Sequence, residues 1–198
     1  MNDWTRVTVA SGQELAFELA LPPGWWSIRP AHYQDDLAAA VGAAGDLPAG
    51  SQAAAELEAE LGRLARVSAT AGALLLAGGA AYDPRSSKFV TASLSLLPYA
   101  SYAAVDRSDH EAGPVVELNL TTGTALRYLW LSAPVIAIGR IVLLSADYVL
   151  AADLHPSWVL SFDTPALDQR AHLVQVFDAI AAGVRMHRAA ADVAGAFS

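Results

Sequence analysis

Thr124-Ala125-Leu126-Arg127-Tyr128-Leu129-Trp130-Leu131 is the stretch on which the fold turns. As an extended strand it places Leu126, Tyr128 and Trp130 on one face and Arg127, Leu129 and Leu131 on the other. Neither face is polar, so both must be at least partly covered, and a sheet flanked by helices provides that cover. The neighbouring segments also read as strands. In Lys88 to Leu97, Phe89, Thr91, Ser93 and Ser95 alternate with Val90, Ala92, Leu94 and Leu96. Val115 to Leu120 precedes a Thr122-Gly123 turn, and Val135 to Leu150 and Trp158 to Phe162 follow. The first of these last two must break or bend, since strands rarely exceed about ten residues. Ala73 to Tyr82 reads as a buried strand whose Gly78-Gly79 predicts a bulge or a close approach to the backbone. Pro98 to Gly113 reads as a loop.

Toward the N-terminus, Glu14 to Ala20 alternates Leu15, Phe17 and Leu19 with Glu14, Ala16 and Glu18, the pattern of a half-buried strand. A possible short strand precedes it across the Ser11-Gly12 turn. Pro22-Pro23-Gly24 stops the strand, and Trp25-Trp26 lead to Pro30, with a short helix expected over 31–44. Between Gly50 and Ala73, Leu57, Leu61, Leu64 and Ser68 recur at helical spacing behind Ser51, a suitable N-cap. Glu56 and Glu60 near its start and Arg63 and Arg66 beyond suit the helix dipole. Toward the C-terminus, Thr164-Pro165 reads as an N-cap with proline at the first helical position. Leu173, Val176, Phe177, Ile180 and Val184 then mark the apolar face of a helix of five or more turns. The expected architecture is therefore α+β: a single antiparallel sheet flanked by helices, in one domain over residues 1–198, with 189–198 frayed.

Composition excludes several functions. The chain has 198 residues, 54% hydrophobic and 16% charged, enough to bury a core and too apolar for general disorder. Cysteine is absent, which removes disulfides, thiolate nucleophiles, iron–sulfur clusters and cysteine-ligated zinc. Net charge is -8, and Lys88 is the single lysine among 12 cations, so no basic stripe is available to displace phosphate counterions. Nucleic acid is not an expected partner. The longest apolar stretch, 134–152, holds Arg140 and Asp147, and a charge at the bilayer centre costs about 2.5 to 3.5 kcal/mol. No membrane insertion is expected. With no basic n-region or apolar h-region after Met1, a cytoplasmic location is expected.

Chemistry is sparse in the sequence. No Gly-x-Ser-x-Gly elbow occurs, and His32, His110, His155, His172 and His187 are scattered. Neither a dinucleotide fingerprint nor a phosphate loop is present, and Lys88 sits outside any glycine-rich turn. The best group of metal-ligating residues, Asp106 to Glu111, lacks the glycine and terminal glutamate order of a calcium loop, and Arg107 opposes a cation. His32 and Asp35 stand at i and i+3 without further ligands. No metal, cofactor or catalytic residue is therefore expected, although distant Ser, His and Asp residues could meet in the fold. Trp25, Trp26, Arg127 and Tyr128 remain as candidates for partner binding, because Trp, Tyr and Arg are enriched at binding hot spots. If the chain is extended at Trp25-Trp26, one ring enters the core while the other faces outward.

Leu21-Pro22-Pro23-Gly24-Trp25, Trp158-Val159-Leu160-Ser161-Phe162-Asp163-Thr164-Pro165 and Phe177-Asp178-Ala179-Ile180-Ala181 resemble segments of the Mog1/PsbP-like fold family. The resemblance is greatest to small actinobacterial proteins of that fold, whose lipoprotein relatives carry a lipidated cysteine that is missing here. It implies an α/β/α sandwich. Members of the wider superfamily act chiefly as adaptors and assembly factors, which implies a non-catalytic protein-binding domain. A carrier of a small apolar ligand, bound between sheet and helix near Trp25, Trp26 or Trp158, is the competing expectation, with an enzyme assembled from distant residues third.

Overall fold

A computed structural model of the chain describes residues 4–11, 15–44, 48, 50–83, 88–104, 111–113, 115–120, 123–132, 135–136, 139–140, 142–152 and 155–188. Strands β1 (Thr5–Ser11) and β2 (Leu15–Leu21) pair antiparallel. The chain then turns at Pro22–Trp25, where the Trp25 N–H donates to the Pro22 carbonyl at 3.2 Å. Gly24 has φ 78° in that turn, a conformation that only glycine adopts without strain. After β3 (Trp26–Ile28), a 3-10 turn at Pro30–His32 opens helix α1 (Tyr33–Ala44). Helix α2 (Gln52–Thr70) is capped by Ser51, whose hydroxyl accepts from the Ala54 N–H at 3.2 Å.

Strands β4 (Leu75–Asp83) and β5 (Lys88–Pro98) follow, then the one-turn helix α3 (Tyr99–Ala103) and the short β6 (Glu111–Ala112). Next come β7 (Val116–Leu120), β8 (Gly123–Ser132), the two-residue strands β9 (Val135–Ile136) and β10 (Gly139–Arg140), β11 (Leu143–Ala152) and β12 (His155–Thr164). Helix α4 (Arg170–Ala182) begins after a 3-10 turn at Leu167–Gln169, and β13 (Arg185–Arg188) ends the described chain.

These elements do not make one sheet. The strands form a three-stranded sheet in the order β1-β2-β13 and an eight-stranded sheet in the order β3-β4-β5-β12-β11-β8-β6, with β7 also on β8; β9 and β10 pair with each other. The expected single antiparallel sheet flanked by helices is thereby corrected, and with it the α/β/α sandwich. Strand predominates among the described residues, and the second sheet takes a place that helix was expected to fill. Phe17 of β2 meets Trp158 of β12 edge to face, with ring centroids 5.2 Å apart. Phe177 of α4 stacks on Phe162 of β12 at 4.5 Å. Sheet β1-β2-β13 and helix α4 thus share one face of the large sheet, sealing a core of Phe17, Leu19, Leu21, Leu96, Tyr148, Leu160, Phe162 and Phe177.

Other expectations are corrected at element ends. Thr164 does not cap a helix: it ends β12, its hydroxyl donating to the Thr91 carbonyl at 2.7 Å and accepting from the Ala166 N–H at 3.1 Å. This side-chain turn is the alternative that threonine offers to a helix start. Helix α4 is correspondingly short, and after Gly183 the chain returns as β13 to pair with β2. The stretch 98–113, expected as loop, holds α3 and β6. Gly78 and Gly79 produce no bulge in the β4 register, but the close approach expected as the alternative is present, with the Trp26 and Trp25 indoles lying against them. The expected frayed end at 189–198 lies outside the described residues. Among the described residues no helix is long and apolar enough to cross a membrane.

Candidate functional site

The antiparallel registers align side chains of five adjacent strands into rungs on the face of the large sheet opposite α4. The first rung runs Leu97, Val159, Val149, Leu126, Glu117. The second is Ser95, Ser161, Asp147, Tyr128, and the third is Ser93, Asp163, Ser145, Trp130. Paired residues share a face because side-chain direction alternates with every residue. Helices α1 and α2 cover this face at its β3–β4 end, where Ile28, Ala40, Leu61 and Ala65 are buried together. Helix α3 lies over β5 and β12, so Tyr99 and Tyr102 close the apolar first rung on Val149 and Val159.

The middle of the face is polar. Asp147 is only 2% exposed, and its carboxylate accepts from the Tyr102 hydroxyl at 2.9 Å and the Ser161 hydroxyl at 2.5 Å. The Ser145 hydroxyl donates to Asp163 at 2.5 Å. A buried carboxylate needs such donors to offset its lost hydration. At the β8 side Tyr128 and Trp130 stand in parallel, with centroids 6.1 Å apart and planes 10° apart, both partly exposed. Leu126 beside them is 39% exposed, unusual for a leucine on a central strand.

Arg127, the residue between them, points the other way. Its Nη1 donates to both carboxylate oxygens of Asp178 on α4, at 2.7 and 2.6 Å, and Tyr148 Oη donates to the same carboxylate at 2.7 Å. Burial opposes the charge of Arg127, but Asp178 outweighs it and holds the guanidinium above its ordinary pKa. Burial, then the Asp178 carboxylate, drives the Tyr148 phenol above its ordinary value. The group therefore ties α4 to the sheet.

The four partner-binding candidates are not brought together. Trp25 packs with the core on the α4 face, Trp26 with the cluster under α1 and α2 on the opposite face, and both are partly buried. Arg127 is an interior ion pair with a side chain 12% exposed. Trp26 and Tyr128 share the face opposite α4, but Tyr128 alone of the four stands among its polar rungs, where it joins residues that the sequence did not offer as binding candidates: Tyr102, Glu117, Trp130, Ser145, Asp147, Ser161 and Asp163. A usable signal was present in Ser93-x-Ser95, Ser145-x-Asp147 and Ser161-x-Asp163, polar pairs at strand spacing on three segments.

His32, His172 and His187 are exposed, and no group of three metal-ligating residues occurs among the described residues. The Asp106-to-His110 part of the acidic loop lies outside them. A scan of family models found no match, and comparisons with curated proteins and with solved structures found none either.

Proposed function

We propose that the chain is a non-catalytic protein-binding domain, an adaptor, that receives its partner on the face carrying Leu126, Tyr128 and Trp130. The observation that supports this is the exposure of an apolar and aromatic strip at the end of hydroxyl and carboxylate rungs, on a sheet whose other face is sealed. Tyrosine and tryptophan give large contact area for little loss of side-chain freedom, and the polar rungs beside them offer directional contacts. The partner is taken to be a cytoplasmic protein.

The test is capture from the cytoplasmic fraction of the native cell with the tagged full chain, beside Leu126→Ala and Tyr128→Ala variants. Each variant should lose the captured protein while keeping its thermal midpoint within a few degrees, as expected of partly exposed residues. Undiminished capture by both variants refutes this surface.

A further inference from the structure

Strand β1 ends the three-stranded sheet, and it lacks the devices that keep a sheet edge from pairing. Its seven residues run in unbroken register with β2, without bulge, proline or glycine, and Arg6 is their single charge. That charge is already met by Glu18 at 3.0 Å. The other strands that end the two sheets are short, charged or covered, the usual protections. Strand β3 has three residues and lies against α1; β13 has four and exposes Arg185 and His187. Strand β6 has two residues, and β7 has five and exposes Glu117 and Asn119. On β1 the side chains of Arg6, Thr8 and Ala10 are exposed on the outer face, whereas Val7 and Val9 face the core beside Phe17 and Leu19. Val9 is buried but Val7 is only partly covered, so the core is not closed at this edge. The sequence of the strand, Thr5-Arg6-Val7-Thr8-Val9-Ala10-Ser11, is nearly symmetric about Thr8, with hydroxyl residues at its ends and centre and a valine on either side of the centre.

We infer that a second copy of this chain pairs antiparallel along β1, about a two-fold axis at Thr8, to make one six-stranded sheet in the order β13-β2-β1-β1-β2-β13. A two-fold contact needs a surface that complements itself, and the symmetry of β1 supplies one. With the axis at Thr8, all seven residues find partners: Thr8 meets Thr8, Val7 meets Val9, Arg6 meets Ala10 and Thr5 meets Ser11 of the other copy. An axis at any other residue leaves part of the strand unpaired. The ladder supplies about six to eight inter-strand hydrogen bonds. Threonine facing threonine and valine facing valine are favourable cross-strand pairs, and Val9 of the other copy covers the exposed part of Val7. The two Arg6 residues stand four positions apart along the strands, about 14 Å, and each keeps its Glu18, so no like charges meet. This contact is separate from the face that carries Tyr128.

The test is sedimentation velocity of the full chain from micromolar to millimolar concentration, in about 0.3 M salt to screen the repulsion between two chains of net charge -8. A monomer–dimer equilibrium is expected. Thr8→Glu and Thr8→Lys each set like charges face to face on the axis and should each weaken the dimer about three- to five-fold, while an equimolar mixture of the two should recover it. Thr8 is exposed, and Thr8→Lys, set beside Glu18, stays informative if Thr8→Glu perturbs folding. The chain has no cysteine, so oxidation of single-cysteine variants reads the register. Thr8→Cys brings two sulfurs within disulfide reach and should crosslink, whereas Arg6→Cys leaves them about 14 Å apart and should not. A monomer at every concentration overturns the inference. A dimer that the Thr8 variants leave unchanged, or that crosslinks equally through Arg6→Cys, also overturns it and places the contact on another surface.

Discussion

The indole of Trp26 occupies the space into which a side chain at Gly78 would project. A Cβ at Gly78 would stand 2.6 Å from Trp26 Cζ2 and 3.1 Å from the Ala92 carbonyl oxygen. Trp25 does the same on the opposite face of β4, where a Cβ at Gly79 would lie 2.5 Å from its Cδ1. The adjacent glycines thus seat the adjacent tryptophans. Neither ring has a flexible end that can give way.

Gly78→Ala is therefore expected to lower stability. Overpacking of this kind costs about 1 to 3 kcal/mol, against the roughly 0.4 to 1 kcal/mol returned by a stiffer unfolded chain. Urea denaturation checks the balance. A midpoint at or above that of the parent would mean that the indole moves aside freely.

The Arg127–Asp178 pair predicts an asymmetry between its two deletions. Arg127 is 12% exposed and Asp178 32% exposed in their side chains. Asp178→Ala strands a buried guanidinium and removes the acceptor of Tyr148, and should cost about 2 to 4 kcal/mol, near the range for breaking a buried pair. Arg127→Met leaves a carboxylate that still reaches water and the Tyr148 hydroxyl, and should cost less. Equal losses in chemical denaturation would show that the two charges are equally solvated.

Strand faces were legible in the sequence, and strand partners were not. The alternation in 124–131 gives the two faces seen in β8, because side-chain direction is a local property of extended chain. Ser51 caps α2 for a similarly local reason. The division into two sheets depends on β13 returning to β2 across more than 160 residues, and no local period encodes that pairing. Thr164-Pro165 was misread because a threonine hydroxyl bonded to a nearby N–H serves a turn as well as a helix start. The polar face was missed because each Ser-x-Ser or Ser-x-Asp pair is unremarked in its own strand. Only the register places three of them side by side.

Acid should weaken the seat of α1. Asp36 accepts from the Arg29 backbone N–H at 2.8 Å, from its Nε at 2.9 Å and from its Nη2 at 2.7 Å. Burial pushes the Asp36 carboxyl up, but these bonds outweigh it and hold the pKa below its ordinary value. The folded state then binds this proton less readily than the unfolded chain. Its contribution is complete above the ordinary aspartate value of about 4 and is lost as pH falls through the lower folded value. Thermal midpoints of the parent and Asp36→Asn should therefore differ most near neutrality and converge below about pH 4. A gap independent of pH would remove the ionised carboxylate as its source.

The position of α3 over the polar face is expected to depend on Asp147. Its carboxylate is almost wholly out of water, and Tyr102 on α3 and Ser161 on the neighbouring strand each donate to a different oxygen. Deleting one hydroxyl leaves part of a buried charge with less compensation, a loss of about 1 to 3 kcal/mol. Ser161→Ala removes a donor within the sheet, whereas Tyr102→Phe also removes a polar tether of a one-turn helix that otherwise packs on Val149 and Val159. Hydrogen exchange should separate the two variants. Both lower global stability, but only Tyr102→Phe should speed exchange in 99–104 beyond that global change, because α3 then opens by itself. Equal protection of α3 in both variants would show that apolar packing on Val149 and Val159 holds the helix without its tyrosine hydroxyl.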